Sequence, residues 1–322
     1  MRDTRTILRC IALAAAAAAL TSPTLAAQGQ VQIQVVEKQM DTAKPIAVRM
    51  HLKNERNRPQ RAPGAPFWND HFVFDGKITL KLPPGTYTFE LERGPEFRLR
   101  TGHFTITRDS DDTKQVEMVR FVDMKREGWW SGELHVHRPV KDIELLMLAE
   151  DLHVAPVITW WNDRKLWAGK QPPGEPLKRF DGDRYYHIMA GEDEREGGAL
   201  MYFNLTEPLS ITGAGREFPS PMTFLREARS REGVHVDIEK PFWWDVPVWL
   251  ASGRMQSIGV ANNHMWRSRM LPSEAWGRAR DTQRLPPPLG NGYWTQEIYH
   301  HILNAGIRIP PSAGSASGVL GN

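Results

Sequence analysis

The pair His135-x-His137, in the run Gly-Glu-Leu-His-Val-His, is the first place in the chain where residue types and spacing could do chemistry. On a strand, residues two apart share a face at about 6.5–7 Å along the backbone, near enough for both imidazoles to meet one cation. A carboxylate from another segment would complete a three-ligand set, and Glu192 in Gly191-Glu192-Asp193 is the candidate. Two histidines and a carboxylate around a single divalent metal ion, zinc or manganese, leave a coordination position for water, whose pKa the ion lowers. His-x-His alone is common and usually structural, so the expectation depends on what else converges there.

The elements that must position these residues begin after Gly128. Glu133 to His137 reads as a short strand and Asp142 to Leu152 as an apolar helix capped by Asp142. Val154 to Trp161 is an uninterrupted apolar strand of the kind covered on both faces. Further strands are expected at 185–190, 199–205, 234–238 and 257–261, with helices at 222–231, 246–252 and 294–304. Strands alternating with helices predict a parallel sheet, open or closed into an α/β barrel, with polar groups gathered at the carboxyl ends of the strands.

Those ends carry His135 and His137, then Trp160-Trp161-Asn162, Glu192, Asp237-Ile238-Glu239-Lys240 and Asn262-Asn263-His264. Glu239 and His264 are the expected acid/base pair, His264 doubling as a replacement ligand. Lys240 is placed to hold an anion, although Glu239 beside it could equally make a solvated surface pair. Trp160, Trp161, Asn162, Trp243, Trp244 and Asn263 are the expected substrate-binding residues. Indole faces stack on sugar rings and aromatic ligands, while any single tryptophan serves core packing as readily. His153, His187, His300 and His301 lie without partners in helices and strands and read as structural.

Ahead of this region the pattern is period two. Val31, Ile33 and Val35 alternate with glutamines, and similar alternation runs through Ile46–Leu52, Ile78–Leu82 and Tyr87–Leu91. Residues 28–125 therefore predict a small all-β sandwich of immunoglobulin or prealbumin type, in which 54–70 forms a long surface loop. The stretch GKITLKLPPGTYTFELERG resembles carboxypeptidase-regulatory-like modules. Residues 1–27, with Arg2, Arg5 and Arg9 before an apolar run and small residues near Ala27, read as a signal peptide, which predicts a secreted or periplasmic protein. No stretch is long and apolar enough to suggest a membrane span.

Cys10, the one cysteine of the chain, falls inside that segment, which excludes thiol and disulfide chemistry from the rest. Of 41 basic and 38 acidic residues, removal of three and one leaves 38 against 37, a balance that argues against a nucleic-acid partner. Twelve tryptophans against six tyrosines make a small-molecule or saccharide ligand the expected partner.

The segment GWWSGELHVHRPVKDIELLMLAEDLHVAPVITWWN resembles the opening of the PHP (polymerase and histidinol phosphatase) superfamily, in its secreted carbaryl-hydrolase-like branch. On that resemblance Glu133 stands at the family's aspartate, His135 and His137 at its two histidines, Asp142 at a further aspartate and Glu192 at its bridging carboxylate. The likeness extends over about 130–318 and implies a distorted PHP-like β/α barrel over 126–322, truncated at its C-terminus. It also implies a metal-dependent hydrolase of an ester, amide or phosphoester. The chain departs from the pattern at Thr159-Trp160-Trp161, Lys240-Pro241 and Ala316-Ser317-Gly318, where the family carries ligands. A single metal is then the most the site would hold. The competing expectation is a catalytically inactive barrel that binds saccharide or another ligand through its tryptophan-rich rim.

Overall fold

The computed structural model describes residues 28–39, 42–211 and 213–320; the expected signal peptide and Cys10 lie outside them. Nine strands form the N-terminal part: β1 (Gly29–Gln39), β2 (Thr42–Pro45), β3 (Ala47–Asn54), β4 (Phe67–Trp68), β5 (His71–Asp75), β6 (Lys77–Leu82), β7 (Gly85–Glu92), β8 (Arg100–Ile106) and β9 (Asp111–Met118). One sheet runs β2-β1-β6, with β9 also paired to β1, and the other runs β4-β5-β3-β7-β8. The alternation of the sequence explains why they pack. Val31, Ile33 and Val35 of β1 with Leu80 and Leu82 of β6 meet Val48, Met50 and Leu52 of β3, Phe72, Phe74, Leu91 and Phe104 in one buried cluster. This is a β-sandwich, though not a purely antiparallel one, because β1 and β9 run parallel. The loop expected over 54–70 contains β4 and the buried Ala62.

The rest of the chain comprises α1 (Ile143–Ala149), β10 (Val154–Trp161), β11 (Arg164–Lys165), β12 (Leu177–Phe180), β13 (Arg184–Arg195), β14 (Gly198–Phe203), α2 (Pro221–Arg229), β15 (His235–Ile238), α3 (Val246–Ala251), β16 (Ser257–Ala261), α4 (Gly290–Asn304) and β17 (Pro311–Ala313). The main path of its sheet is β11-β10-β13-β14-β15-β16-β17, and β12 flanks β13. The α/β barrel expectation, and its PHP-like form with it, is corrected here. Pairs β10·β13, β15·β16 and β16·β17 are parallel, whereas β10·β11, β12·β13, β13·β14 and β14·β15 are antiparallel. Over the described residues as a whole strand outweighs helix, and in this part α1 and α3 are only seven and six residues long.

The physical reason lies in a connection. A parallel crossover needs a dozen or more residues. β13 and β14 are instead joined across Arg195↔Gly198 by Glu196 and Gly197, a hairpin that fixes them antiparallel. The expected strand over 133–137 exists as bridges: Ile158 N donates to Val136 O at 2.8 Å, and His137 N donates to Ser317 O at 2.8 Å. This segment thus sits between β10 and residues 313–317. Asp142 precedes α1 without a side-chain capping hydrogen bond, contrary to the expected cap.

Candidate metal centre

His135 and His137 project from the 133–137 segment with ring centroids 4.9 Å apart, as same-face residues must. Glu133 holds that segment in place, its Oε1 accepting from His135 N and from Ser315 N at 2.8 Å each. It is therefore a brace between 133–137 and 313–317. Glu192 arrives on β13 opposite Trp161 of β10. Its Oε2 lies 3.2 Å from both His135 Nε2 and His137 Nε2. The three ligand atoms fall within 4.8 Å of one another. A tetrahedral ion with ligands at about 2.0–2.2 Å has ligand–ligand edges of roughly 3.3–3.6 Å, so the set is close to the size an ion requires. His137 Nε2 is buried and lacks a hydrogen bond of proper geometry among the described residues, as a nitrogen awaiting an ion would.

Glu239, following β15, stands behind His135: its Oε1 is 3.4 Å from His135 Nδ1. Its other oxygen accepts from Lys240 Nζ. A carboxylate on the far nitrogen of a ligating histidine fixes ring orientation and tautomer. Burial opposes charge on His135, but Glu192 and Glu239 outweigh it and raise its pKa to about 10. Glu192 is held well below the ordinary carboxylate range because His135 and His137 overcome the opposing effect of its burial.

A cavity of about 220 Å³ opens on this set, bounded by Trp161, Trp243, Trp276, Glu194 and His264 among others. Trp161 packs 5.0 Å from His137, ring centre to ring centre, and Lys240 Nζ lies 4.4 Å over the Trp243 ring. His264 has its pKa lowered to about 4 by burial and then by Lys240, which keeps it neutral at ordinary pH.

Eight of the twelve expected site residues reach this cavity: His135, His137, Trp161, Glu192, Lys240, Trp243, Asn263 and His264. Glu239 touches it only through His135 and Lys240. Three lie elsewhere. Trp160 is 1% exposed and belongs to the main core against Tyr202, because neighbours on β10 face opposite sides. Asn162 adopts a left-handed backbone (φ 53°), and its Oδ1 accepts from Glu194 N at 2.7 Å, so it fixes the ends of β10 and β13. Trp244 is exposed in a separate groove with Leu250, Trp294 and Ile298.

Glu194 was not among the expected residues. Burial, then the charges of Glu192 and Glu239, raise its pKa to about 7. Its signal was strand alternation: two residues beyond Glu192, it faces the same side, while Asp193 turns away to pair with Arg195.

No protein-family profile matches the chain, and no curated protein does. Among solved structures it is similar to the minor pilin GBS52 of Streptococcus agalactiae (20% identity, 30% of this chain and 46% of that one, TM-score 0.24). It is also similar to the pilus-presented adhesin Cpa (14% identity, 29% and 28%, TM-score 0.22) and to the Bacillus anthracis TIE protein (21% identity, 36% and 20%, TM-score 0.23). The chain spans less than half the length of each. The resemblance to the PHP superfamily, and the metal-dependent hydrolase drawn from it, are corrected here: no family profile and no curated protein supports them, and the antiparallel pairing of β13 with β14 departs from the barrel they imply. At such TM-scores the pilin and adhesin structures assign this chain neither family nor activity.

Proposed function

We propose that the chain is an exported ligand-binding protein in which His135, His137 and Glu192 hold one divalent metal ion, zinc or manganese, at the floor of a small tryptophan-walled pocket. The observation that carries this reading is the convergence of two imidazole nitrogens on one Glu192 oxygen at 3.2 Å each, in a cavity bounded by Trp161 and Trp243. Three protein ligands leave the ion a free position toward that cavity. A cavity of about 220 Å³ suits a small molecule with an oxygen donor for the ion and a flat or apolar part for the indole faces. No hydrolytic step belongs to the proposal, since Glu239, the expected base, is engaged by His135 and Lys240. Export rests on the N-terminal segment; among the described residues no helix is long and apolar enough to cross a membrane.

Metal content of the chain lacking residues 1–27, after dialysis against zinc, tests the proposal. Replacing both His135 and His137 by alanine should remove one equivalent per chain. Bound zinc or cobalt should also perturb the fluorescence of Trp161, and Trp161→Phe should abolish that response. Metal content unchanged by the double substitution sinks the reading.

A further inference from the structure

A second group of ligand-type side chains lies on the sandwich, far along the chain from the first. His51 of β3, Asp70 just before β5 and His71 at the start of β5 share the face of the five-stranded sheet opposite its apolar core. Residues on such a face normally meet water. Here the face is covered by α1 and by residues 265–268, which enclose with it a cavity of about 590 Å³. His51 is 5% exposed.

The covered face and its cavity carry both acidic and basic side chains. Glu90 and Glu92 of β7 receive Arg267, Arg49 pairs with Glu92 and Glu150, and Asp70 stands beside the two histidines.

Geometry singles out His51. Asp70 Oδ1 lies 3.3 Å from His51 Nδ1 and 3.1 Å from His71 Nδ1, and all three atoms fall within 4.8 Å of one another. Those edges are again close to the roughly 3.3–3.6 Å expected around a tetrahedral ion. Neither ring nitrogen of His51 makes a hydrogen bond of proper geometry among the described residues, although both are buried. On the far side of the ring, Glu92 Oε2 is 3.7 Å from Nε2. Glu92 thus stands to His51 as Glu239 stands to His135, a carboxylate behind a ligand-type imidazole.

We infer that His51, Asp70 and His71 form a second, independent site for a divalent transition-metal ion, with Glu92 orienting His51 and a coordination position open to the cavity under residues 265–268. Two imidazoles and one carboxylate select zinc, cobalt or nickel over magnesium and calcium, which favour oxygen ligands.

The test uses the chain lacking residues 1–27, loaded with zinc sulfate, dialysed and analysed for metal, each variant being checked by far-UV circular dichroism. The wild type should hold two equivalents. H51A with H71A, and separately the milder D70N, should each hold one, H135A with H137A should hold one, and the fourfold alanine variant none. Glu92→Gln should weaken one of the two sites 10–100-fold and leave the other unchanged. Wild-type stoichiometry retained by folded D70N and H51A/H71A variants overturns the inference. A wild type with a single equivalent, lost on replacing His135 and His137, also overturns it. A single equivalent lost only on replacing His51 and His71 supports this site and refutes the one proposed above.

Discussion

The two adjacent tryptophans at the end of β10 show how a one-residue step decides role. Trp160 fills the core beside Gly191, where an added Cβ would come within 1.6 Å of its ring, while Trp161 turns to the pocket and His137. Trp160→Ala should therefore cost about 3–5 kcal/mol in chemical denaturation and leave metal affinity nearly unchanged once the protein is folded. Trp161→Ala should do the reverse, with a small loss of stability and an altered pocket. Glu239→Gln should weaken zinc at the first site 10–100-fold by competition titration, because the amide no longer orients His135 as a carboxylate does. Equal zinc affinity in the wild type and the Gln variant would remove Glu239 from the site. Which residues gather at the pocket was largely legible from types at strand ends, but which tryptophan faced the pocket was not, since periodicity alone does not label the two sides of a strand covered on both faces.

At the scale of elements, the hairpin between β13 and β14 determines the architecture. Gly198 has φ +143°, and an added Cβ would meet the Trp243 ring at 2.4 Å, so both its backbone and its surroundings exclude a side chain. Gly198→Ala should destabilise the protein by about 1–3 kcal/mol or more and displace Trp243 from the pocket wall, to be read in thermal melts together with tryptophan emission. An unchanged melt would mean that the hairpin tolerates a side chain there. The strands and helices of this region were largely visible in the sequence: β10 and β16 span the very residues expected, and the four α-helices fall where apolar periodicity placed them, within a few residues at their ends. Their pairing was not visible. Gly197-Gly198 between two apolar runs was the available hairpin signal, and reading past it turned a mixed sheet into a parallel one.

At the scale of the whole molecule, Asp151 ties the sandwich to the second sheet. Its carboxylate meets Arg93 and Arg120 from the N-terminal part and Arg184 of β13, at 3.3, 2.8 and 2.7 Å. Burial alone would raise its pKa, but Arg93, Arg184 and Arg120 together lower it below the ordinary aspartate value. A lowered carboxylate contributes stability that is present above the unfolded pKa of about 3.9 and disappears as pH falls through the folded value. Thermal melts from pH 7 to pH 3 should therefore show the wild type losing its advantage over Asp151→Asn below about pH 4. At pH 7 the variant should be less stable by about 3–5 kcal/mol, because three buried or half-buried guanidinium groups lose their shared anion. Parallel pH profiles for the two proteins would show that this carboxylate does not link the two parts.

The sequence by itself determined the alternating strands of the sandwich, the positions of most elements after Gly128, and a set of metal-ligand residue types at strand ends. These are local properties, written in period, turn residues and side-chain chemistry. Only the tertiary structure decided strand direction, the burial of Glu239 behind His135, the inclusion of Glu194, and the covering of His51 by residues more than two hundred positions away. Each of these depends on contacts between distant segments, whose geometry is set by packing across the whole molecule and leaves no mark in the spacing of neighbouring residues.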